Sequence, residues 1–214
     1  MKLFTYWRST AAYRVRIGLA WKGIAVEHVP VHLVRDGGEQ HGAAYRGVNP
    51  NRTVPALVLA DGRVITQSLA ILDYLEETIP EPPLLPAEPA DRAMVRAASQ
   101  LIACDVHPVN NLRVGAYLKR ELVHDQDDVV AWMRHWMNEG LTSFQALIAE
   151  TGPYCFGGDV TMADLCLVPQ LYNARRWGLD VGSLGRLVEI ETNCLALPAF
   201  DTARPEAQPD AEPG

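Results

Sequence analysis

The chain has 214 residues, of which 48% are hydrophobic and 21% are charged, and its formal net charge is −7 at pH 7. These values are ordinary for a globular protein, and the length is sufficient for a sizeable core. The acidic balance and the absence of a basic block exclude nucleic acid as an expected partner, because phosphate binding needs clustered Lys and Arg.

The termini and the cysteines also restrict the class of protein. No apolar run approaches the ~18 residues of a membrane-spanning helix, so no membrane partner is expected. No apolar segment typical of a signal peptide follows Lys2 and Arg8. The four cysteines show no CxxC spacing, which favours scattered, reduced thiols. We therefore expect a cytoplasmic chain.

Residues 1 to 78 alternate strand-like and helical patterns. KLFTY and AVEHVPV predict two strands, and AAYRVRIGLAWKG between them predicts a helix that ends at Gly23. PALVLA and GRVIT predict a hairpin, because Asp61-Gly62 joins them. QSLAILDYLEET then predicts an amphipathic helix. This order predicts an α/β layer with a mixed sheet.

The composition changes at residues 79–90, where IPEPPLLPAEPA predicts a linker because proline cannot continue a helix. Residues 91–201 contain no convincing strand and predict an all-helical domain, with helices over 91–122, 128–150 and 161–177. Pro108 is expected to kink the first of these helices. Residues 202–214, rich in Ala, Pro and acidic residues, predict a disordered or merely draped tail.

The segment VTMADL contains an acidic residue that could be mistaken for a catalytic one. Thr161 and Asp164 have the spacing of a capping box, with Asp in place of the usual Glu or Gln. Val160 and Leu165 have the spacing of a hydrophobic staple. We interpret the segment as a folding element and expect Asp164 to be structural.

Ser9 and Thr10 stand where the first strand turns into the first helix. A hydroxyl at this place caps the orphan amides of the helix, but it can also donate a hydrogen bond to an anion such as a thiolate. Gln67-Ser68 opens a later helix, where Ser68 could likewise cap the helix or help to hold a carboxylate.

The stretch STAAYRVRIGL, residues 9–19, resembles the pattern SSCxYRVRIAL of the zeta class of the glutathione S-transferase family. VTMADLCLVPQ resembles the same class, as do the VP before the hairpin, the QS opening a helix and the proline linker. The resemblance covers nearly the whole chain. It implies a thioredoxin-like domain over residues 1–78 that binds glutathione, a helical domain that supplies the second substrate's site, and a homodimer.

The resemblance also implies roles for single residues around glutathione. Ser9, with Thr10 beside it, would activate the thiol. The Val54-Pro55 peptide bond would be cis, and the Val54 backbone would pair with the cysteinyl part of glutathione. Gln67 and Ser68 would hold its γ-glutamyl group. Asp105 is a candidate for the amine of glutathione, across a dimer interface.

The activity that the resemblance implies is the glutathione-dependent conversion of maleylacetoacetate to fumarylacetoacetate in aromatic amino acid catabolism. Addition of a thiolate makes the cis double bond single, rotation follows, and loss of the thiolate leaves the trans isomer. Isomerisation of maleylpyruvate and general conjugation of electrophiles are the alternatives.

A keto-acid substrate needs a cation for its carboxylate and a donor or positive charge for the enolate formed by addition. The resemblance favours Arg8 and Arg176 for this role, with Arg113 third. Asn111 is a candidate for a polar group that lines the substrate site, and His107 is either a second such group or a structural histidine. No metal site is expected, because Asp105 and His107 have no third ligand at suitable spacing.

The first helix carries three more informative residues. Ala11 stands where the family pattern has Cys, so reductive dehalogenation by a protein thiol is not expected, whereas isomerisation uses the thiol of glutathione. Arg14 and Arg16 are assigned to structure, since we expect them to point away from the N-terminal end of the helix.

Overall fold

The computed structural model describes residues 1–212 and divides the chain into two compact units. The first unit consists of Met1–Pro83 and the chain from Leu195 onward, and the second is Leu84–Cys194. The first contains a mixed sheet with helices and the second is helical, so the predicted fold class is confirmed. The predicted helical domain extended to residue 201, whereas the structure groups residues from 195 onward with the first unit.

The first unit is built on a four-stranded sheet with the strand order β2-β1-β3-β4. Its elements up to Pro83 are β1 (Lys2–Thr5), α1 (Thr10–Trp21), β2 (Glu27–Pro30), α2 (Ala43–Val48), β3 (Ala56–Val58), β4 (Val64–Thr66) and α3 (Ser68–Thr78). β1 pairs in parallel with β2 and antiparallel with β3, and β4 pairs antiparallel with β3. The Asp61-Gly62 hairpin is therefore confirmed, and Gly62 has the positive φ of 88° that such a turn requires.

Alternating side chains of the strands supply cores on the two faces of the sheet. Leu3 and Leu57 are fully buried with residues of α1 and α3. Phe4, the next residue of β1, instead stacks against Tyr45 of α2, with ring centroids 5.7 Å apart. The first unit therefore has helices on both faces of its sheet, which is the thioredoxin-like arrangement that the resemblance implies.

The second unit is a set of helices. They are α4 (Pro89–Gln100), a π-helical turn (Leu101–Val106), α5 (His107–Val109), α6 (Leu112–Arg120), α7 (Gln126–Leu147), α8 (Met162–Arg176) and α9 (Gly185–Leu195). The predicted single helix over 91–122 is wrong in detail. In the structure, the helix changes to a π-helical turn before Pro108 and ends before Asn111. The side chain of Asn111 then caps a new helix by accepting a hydrogen bond from the Arg113 N–H.

The predicted folding element at the start of α8 is present. The buried carboxylate of Asp164 accepts hydrogen bonds from the Thr161 N–H at 2.8 Å and the Thr161 hydroxyl at 2.9 Å. It also accepts one from the Cys155 N–H at 2.8 Å. Burial raises the pKa of Asp164, and these hydrogen bonds oppose that rise. Asp164 thus joins a loop to a helix start, which is a structural task.

Replacing Thr161 by alanine is expected to lower the free energy of unfolding by ~1–2 kcal/mol, because the cap loses its hydroxyl. Turnover per folded molecule should not change. Urea denaturation measures the first quantity and steady-state kinetics the second. Thr192→Ala is the matched control, since the exposed Thr192 hydroxyl only bonds back to the Val188 carbonyl within a helix. A stable Thr161→Ala protein without turnover would contradict the structural assignment.

The C-terminal segment differs from its prediction. The tail was predicted to begin at residue 202, but α10 (Pro198–Ala203) extends into it and a 3₁₀ turn (Pro205–Ala207) follows. Phe200 is fully buried, and the buried Gln208 side chain donates to the carbonyls of Thr202 and Arg204. Composition misled the prediction because the buried Phe200 just before the tail and the side-chain hydrogen bonds of Gln208 within it hold this Ala- and Pro-rich segment. Residues 213 and 214 of the predicted tail lie outside the described residues.

Candidate active site

Three turns meet at one end of the strands in the first unit, and we call this end of the sheet the site edge. Phe4 pairs with Ala56 and Ala56 pairs with Thr66, so the end of β1, the start of β3 and the end of β4 are neighbours. These turns carry the sequence-predicted pairs Ser9-Thr10, Val54-Pro55 and Gln67-Ser68. α1 and α3 both begin at this edge, and the positive ends of two helix dipoles therefore face it.

Ser9 has the capping role that its sequence position suggests. It is the N-cap of α1, and its Oγ accepts a hydrogen bond from the Ala12 N–H at 3.2 Å. A hydroxyl that accepts one bond still has its own hydrogen to donate. Thr10 is 6% exposed, whereas Ser9 is half-buried. The more accessible Ser9 is therefore the better placed hydroxyl to meet an anion.

The Val54-Pro55 peptide bond is cis, as the resemblance implies. Val54 is 6% exposed, and no hydrogen bond within residues 1–212 uses its N–H or its carbonyl oxygen. Buried backbone groups are almost always paired. This open donor and acceptor pair suits the main chain of an extended peptide-like ligand.

The N-terminus of α3 is open to an anion. No side chain caps this helix, in contrast to α1, α4, α6 and α7, so the amides of its first turn are available. Gln67, just before it, is exposed and has a positive φ of 69°, a strained conformation for a residue with a side chain. Ser68 is buried at the first position of the helix.

Arg14 and Arg16 do not point away from the N-terminal end of α1, and that expectation is wrong. The buried Arg14 donates to Ser68 Oγ at 3.3 Å, and the buried Arg16 donates to the carbonyl oxygen of Trp7 at 2.9 Å. Side chains on a helix lean toward its N-terminus, which brings both guanidinium groups back to the site edge. Arg14 places a positive charge beside the open end of α3.

Arg8 follows β1 and precedes the cap of α1. Its guanidinium carbon lies 5.1 Å from the centre of the Trp7 ring. Its Nε is buried, and no hydrogen-bond partner for it occurs among the described residues. A half-buried guanidinium with an unsatisfied donor is suited to bind a carboxylate.

The remaining predicted residues lie in the second unit. Asp105 is exposed in the π-helical turn, His107 begins α5 and is half-buried, and Arg113 is exposed on α6. Asn111 caps α6, a structural role that the sequence interpretation missed. The spacing of an Asn directly before a helical pattern is the signal that could have revealed it.

Arg176 is distinguished by the structure from its neighbour Arg175. Arg175 makes two hydrogen bonds to the carboxylate of Glu191, at 2.6 and 2.5 Å, and so ties α8 to α9. Arg176 is the exposed last residue of α8, with its guanidinium carbon 5.5 Å from the centre of the Trp177 ring. Arg175 is therefore committed to packing between these two helices.

None of the cysteines belongs to the first unit, which carries the three turns. All four are free and all lie in the second unit. Burial raises the pKa of the Cys155 and Cys194 thiols, which makes them poor nucleophiles. Within residues 1–212, no group of three or more His, Cys, Asp or Glu side chains is arranged to hold a metal ion. No helix in that range has the length and apolar character to cross a membrane.

Known proteins are similar to this chain over nearly its whole length. Residues 8–78 match the family model described as the N-terminal domain of glutathione S-transferase. A probable maleylacetoacetate isomerase of Vibrio cholerae is 46% identical over 98% of this chain and 97% of its own length. The chain therefore belongs to the glutathione S-transferase family, and within it to the zeta class.

Two solved structures are similar over the full length. A bacterial zeta-class maleylpyruvate isomerase in its holo form is 39% identical, with a TM-score of 0.95 over 99% of this chain and 100% of that one. A maleylacetoacetate isomerase of Methylobacterium extorquens with bound malonate and glutathione is 40% identical, with a TM-score of 0.95 over the whole of both chains. The resemblance drawn from STAAYRVRIGL is thus confirmed.

Proposed function

We propose that this chain is a glutathione-dependent cis–trans isomerase that converts maleylacetoacetate to fumarylacetoacetate. The observation that carries the proposal is the meeting of three turns at one sheet edge, with a free hydroxyl hydrogen, an open Val54 backbone and an uncapped helix start. Relatives of the same length bear the names of maleylacetoacetate and maleylpyruvate isomerases. One of them holds glutathione and a small dicarboxylate together.

The residues at the edge fit glutathione group by group. The open N–H and carbonyl of Val54 match the main chain of a cysteinyl residue. The amides that open α3, with Ser68 and the Arg14 guanidinium beside them, match a γ-glutamyl carboxylate, and Gln67 stands next to them. Ser9 donates toward the sulfur position at the start of α1. No thiol of the first unit competes, because that unit contains no cysteine.

When bound, glutathione supplies a thiolate that adds reversibly to the double-bond carbon β to the ketone, so that rotation occurs about a single bond before the thiolate leaves. The Ser9 hydroxyl and the positive end of α1 favour the ionised thiol at neutral pH, against an ordinary pKa of about 8.5 for a cysteine-type thiol. Arg8 binds a substrate carboxylate or the oxygen on which negative charge develops.

The second unit contributes further groups to this proposal. Arg176 and, after it, Arg113 supply positive charge to the carboxylates of the keto acid. His107 and Asn111 line the substrate site, and Asp105 binds the amine of glutathione across a homodimer interface. The enzyme works in the cytoplasm, in aromatic amino acid catabolism.

Turnover of maleylacetoacetate by the purified protein tests the proposal. We expect rapid formation of fumarylacetoacetate that requires glutathione, with the amount of free glutathione the same before and after the reaction. S-Methylglutathione is the matched control, because it keeps every binding group and lacks the thiol. It should inhibit and should not support turnover.

The alternatives predict different results. Preferred turnover of maleylpyruvate would assign the chain to that sibling activity with the same mechanism. Consumption of glutathione in step with product would identify a conjugating transferase. Isomerisation without glutathione would contradict the proposed chemistry.

A further inference from the structure

The main chain of Trp7, immediately before Arg8 and Ser9, is held by two charged side chains. Its N–H donates to Asp210 Oδ2 at 2.9 Å. Its carbonyl oxygen accepts from Arg16 Nη2 at 2.9 Å. Hydrogen bonds to charged groups are stronger than neutral ones. The N–H and the carbonyl oxygen of Trp7 are thus both held by side chains from other parts of the chain.

Arg16 also links this loop to the C-terminal segment. Its Nε donates to the carbonyl oxygen of Ala203, the last residue of α10, at 3.0 Å. Its Nη1 donates to the carbonyl oxygen of Tyr6 at 3.3 Å and to Thr5 Oγ1 at 3.2 Å. The side chain is buried, so these bonds are shielded from water. One guanidinium therefore connects α10 with three consecutive residues at the end of β1.

The far end of the segment is anchored separately. Glu212 accepts from the Arg35 guanidinium at 2.6 Å and lies 3.3 Å from His32 Nε2. The hydrogen bond from Arg35 lowers the pKa of the Glu212 carboxyl. Ala211 packs against the cluster that contains Tyr6 and Trp7. Asp210 is thus held between two attachments, α10 on one side and Glu212 on the other.

We propose that residues 198–212 form a strap and that Asp210 and Arg16 are positioning residues for the catalytic loop. The strap fixes the main chain of Trp7, and this orients the following Arg8 and Ser9 toward bound glutathione. The Ser9 N–H bonds to the carbonyl oxygen of Tyr6 at 3.0 Å, so a shift of that peptide moves Ser9 as well. A displacement on the order of 1 Å is enough to impair a positioned catalytic group. This inference rests on the proposed function.

The test replaces Asp210 by alanine and measures the pKa of the bound glutathione thiol from the ultraviolet absorbance of the thiolate. We expect the thiol pKa to rise and kcat to fall about tenfold, with the KM for the keto acid changed less than kcat. Asp210→Asn should restore most of both values, because the amide oxygen still accepts from the Trp7 N–H. Asp201→Ala is the control, since the exposed Asp201 pairs with Arg204 in the same segment.

The thiol pKa is measured with glutathione alone. A protein that binds glutathione and fails on maleylacetoacetate would therefore refute the proposed substrate while leaving the strap testable. Unchanged thiol pKa and kcat in folded Asp210→Ala would overturn the inference, whatever happens to the melting temperature. If Asp210→Ala does not fold, Asp210→Glu tests the positioning role instead. Its longer side chain should displace the loop and raise the thiol pKa, and wild-type values would overturn the inference.

Discussion

Replacing Ser9 by alanine is expected to raise the pKa of the bound glutathione thiol by about one to two units, the equivalent of one hydrogen bond to a charged group. Turnover at neutral pH should fall ~10²-fold, as it does when a donor to a developing anion is removed. The reason is that the Ser9 hydroxyl accepts from Ala12 and keeps its hydrogen for the thiolate. Thiolate absorbance against pH and steady-state kinetics measure the two effects.

The cap that Ser9 provides must be separated from this catalytic role. Ser9→Gly is the matched variant, because glycine at an N-cap weakens a helix by only a few tenths of a kcal/mol whereas alanine weakens it by ~1 kcal/mol. If the hydroxyl acts on the thiol, both variants lose activity equally and only the alanine variant loses stability. Thr10→Val should change the thiol pKa little, since Thr10 is buried. A larger effect at Thr10 than at Ser9 would reverse the assignment.

Replacing Arg8 or Arg176 by alanine is expected to lower kcat/KM for maleylacetoacetate by about 10- to 100-fold, because a hydrogen bond between charged groups is lost. Conjugation of glutathione to a neutral electrophile should change much less, since no carboxylate is present. Arg8 has a buried, unsatisfied Nε among the described residues, and Arg176 is exposed at the end of α8. The ratio of the two activities is the measurement.

Arg120→Ala is the control for charge alone, because Arg120 is an exposed arginine at the end of α6. It should leave both activities within about twofold, as for a surface change. Arg175→Ala is expected to lower stability and not selectivity, because Arg175 is bound to Glu191. Equal losses of isomerisation and conjugation in Arg8→Ala and Arg176→Ala would contradict carboxylate binding by these residues.

The sheet and the helix starts could be predicted from sequence because their signals are local. Asp61-Gly62 fixes a hairpin, Gly23 ends α1 with a positive φ of 65°, and Thr161 with Asp164 opens α8. Each signal depends on neighbouring residues and on backbone geometry alone. The positions of Ser9 and Ser68 at helix starts follow from the same kind of pattern, whereas their assignment to a glutathione site came from the family resemblance.

The rest of the site depends on contacts between residues far apart in the chain. Arg14 donates a hydrogen bond to Ser68, and Arg16 donates one to Ala203. A hydrophobic pattern along the sequence cannot predict contacts between residues so far apart. Two arginines on one helix looked structural because pattern analysis tells which face they occupy and not how far their side chains reach. Asp210 lay in a segment whose composition suggested disorder, and only its bond to the Trp7 N–H reveals a role.

The division of the chain has a consequence for the order in which it is made. The first unit combines residues 1–83 with residues from 195 onward, whereas the second unit is continuous. A ribosome releases the chain from its N-terminus, and folding begins with what has already emerged. The Trp7 N–H therefore waits until Asp210, 203 residues further along the chain, has been synthesised. The loop between β1 and α1 therefore reaches its final form only after the continuous helical unit has all of its residues.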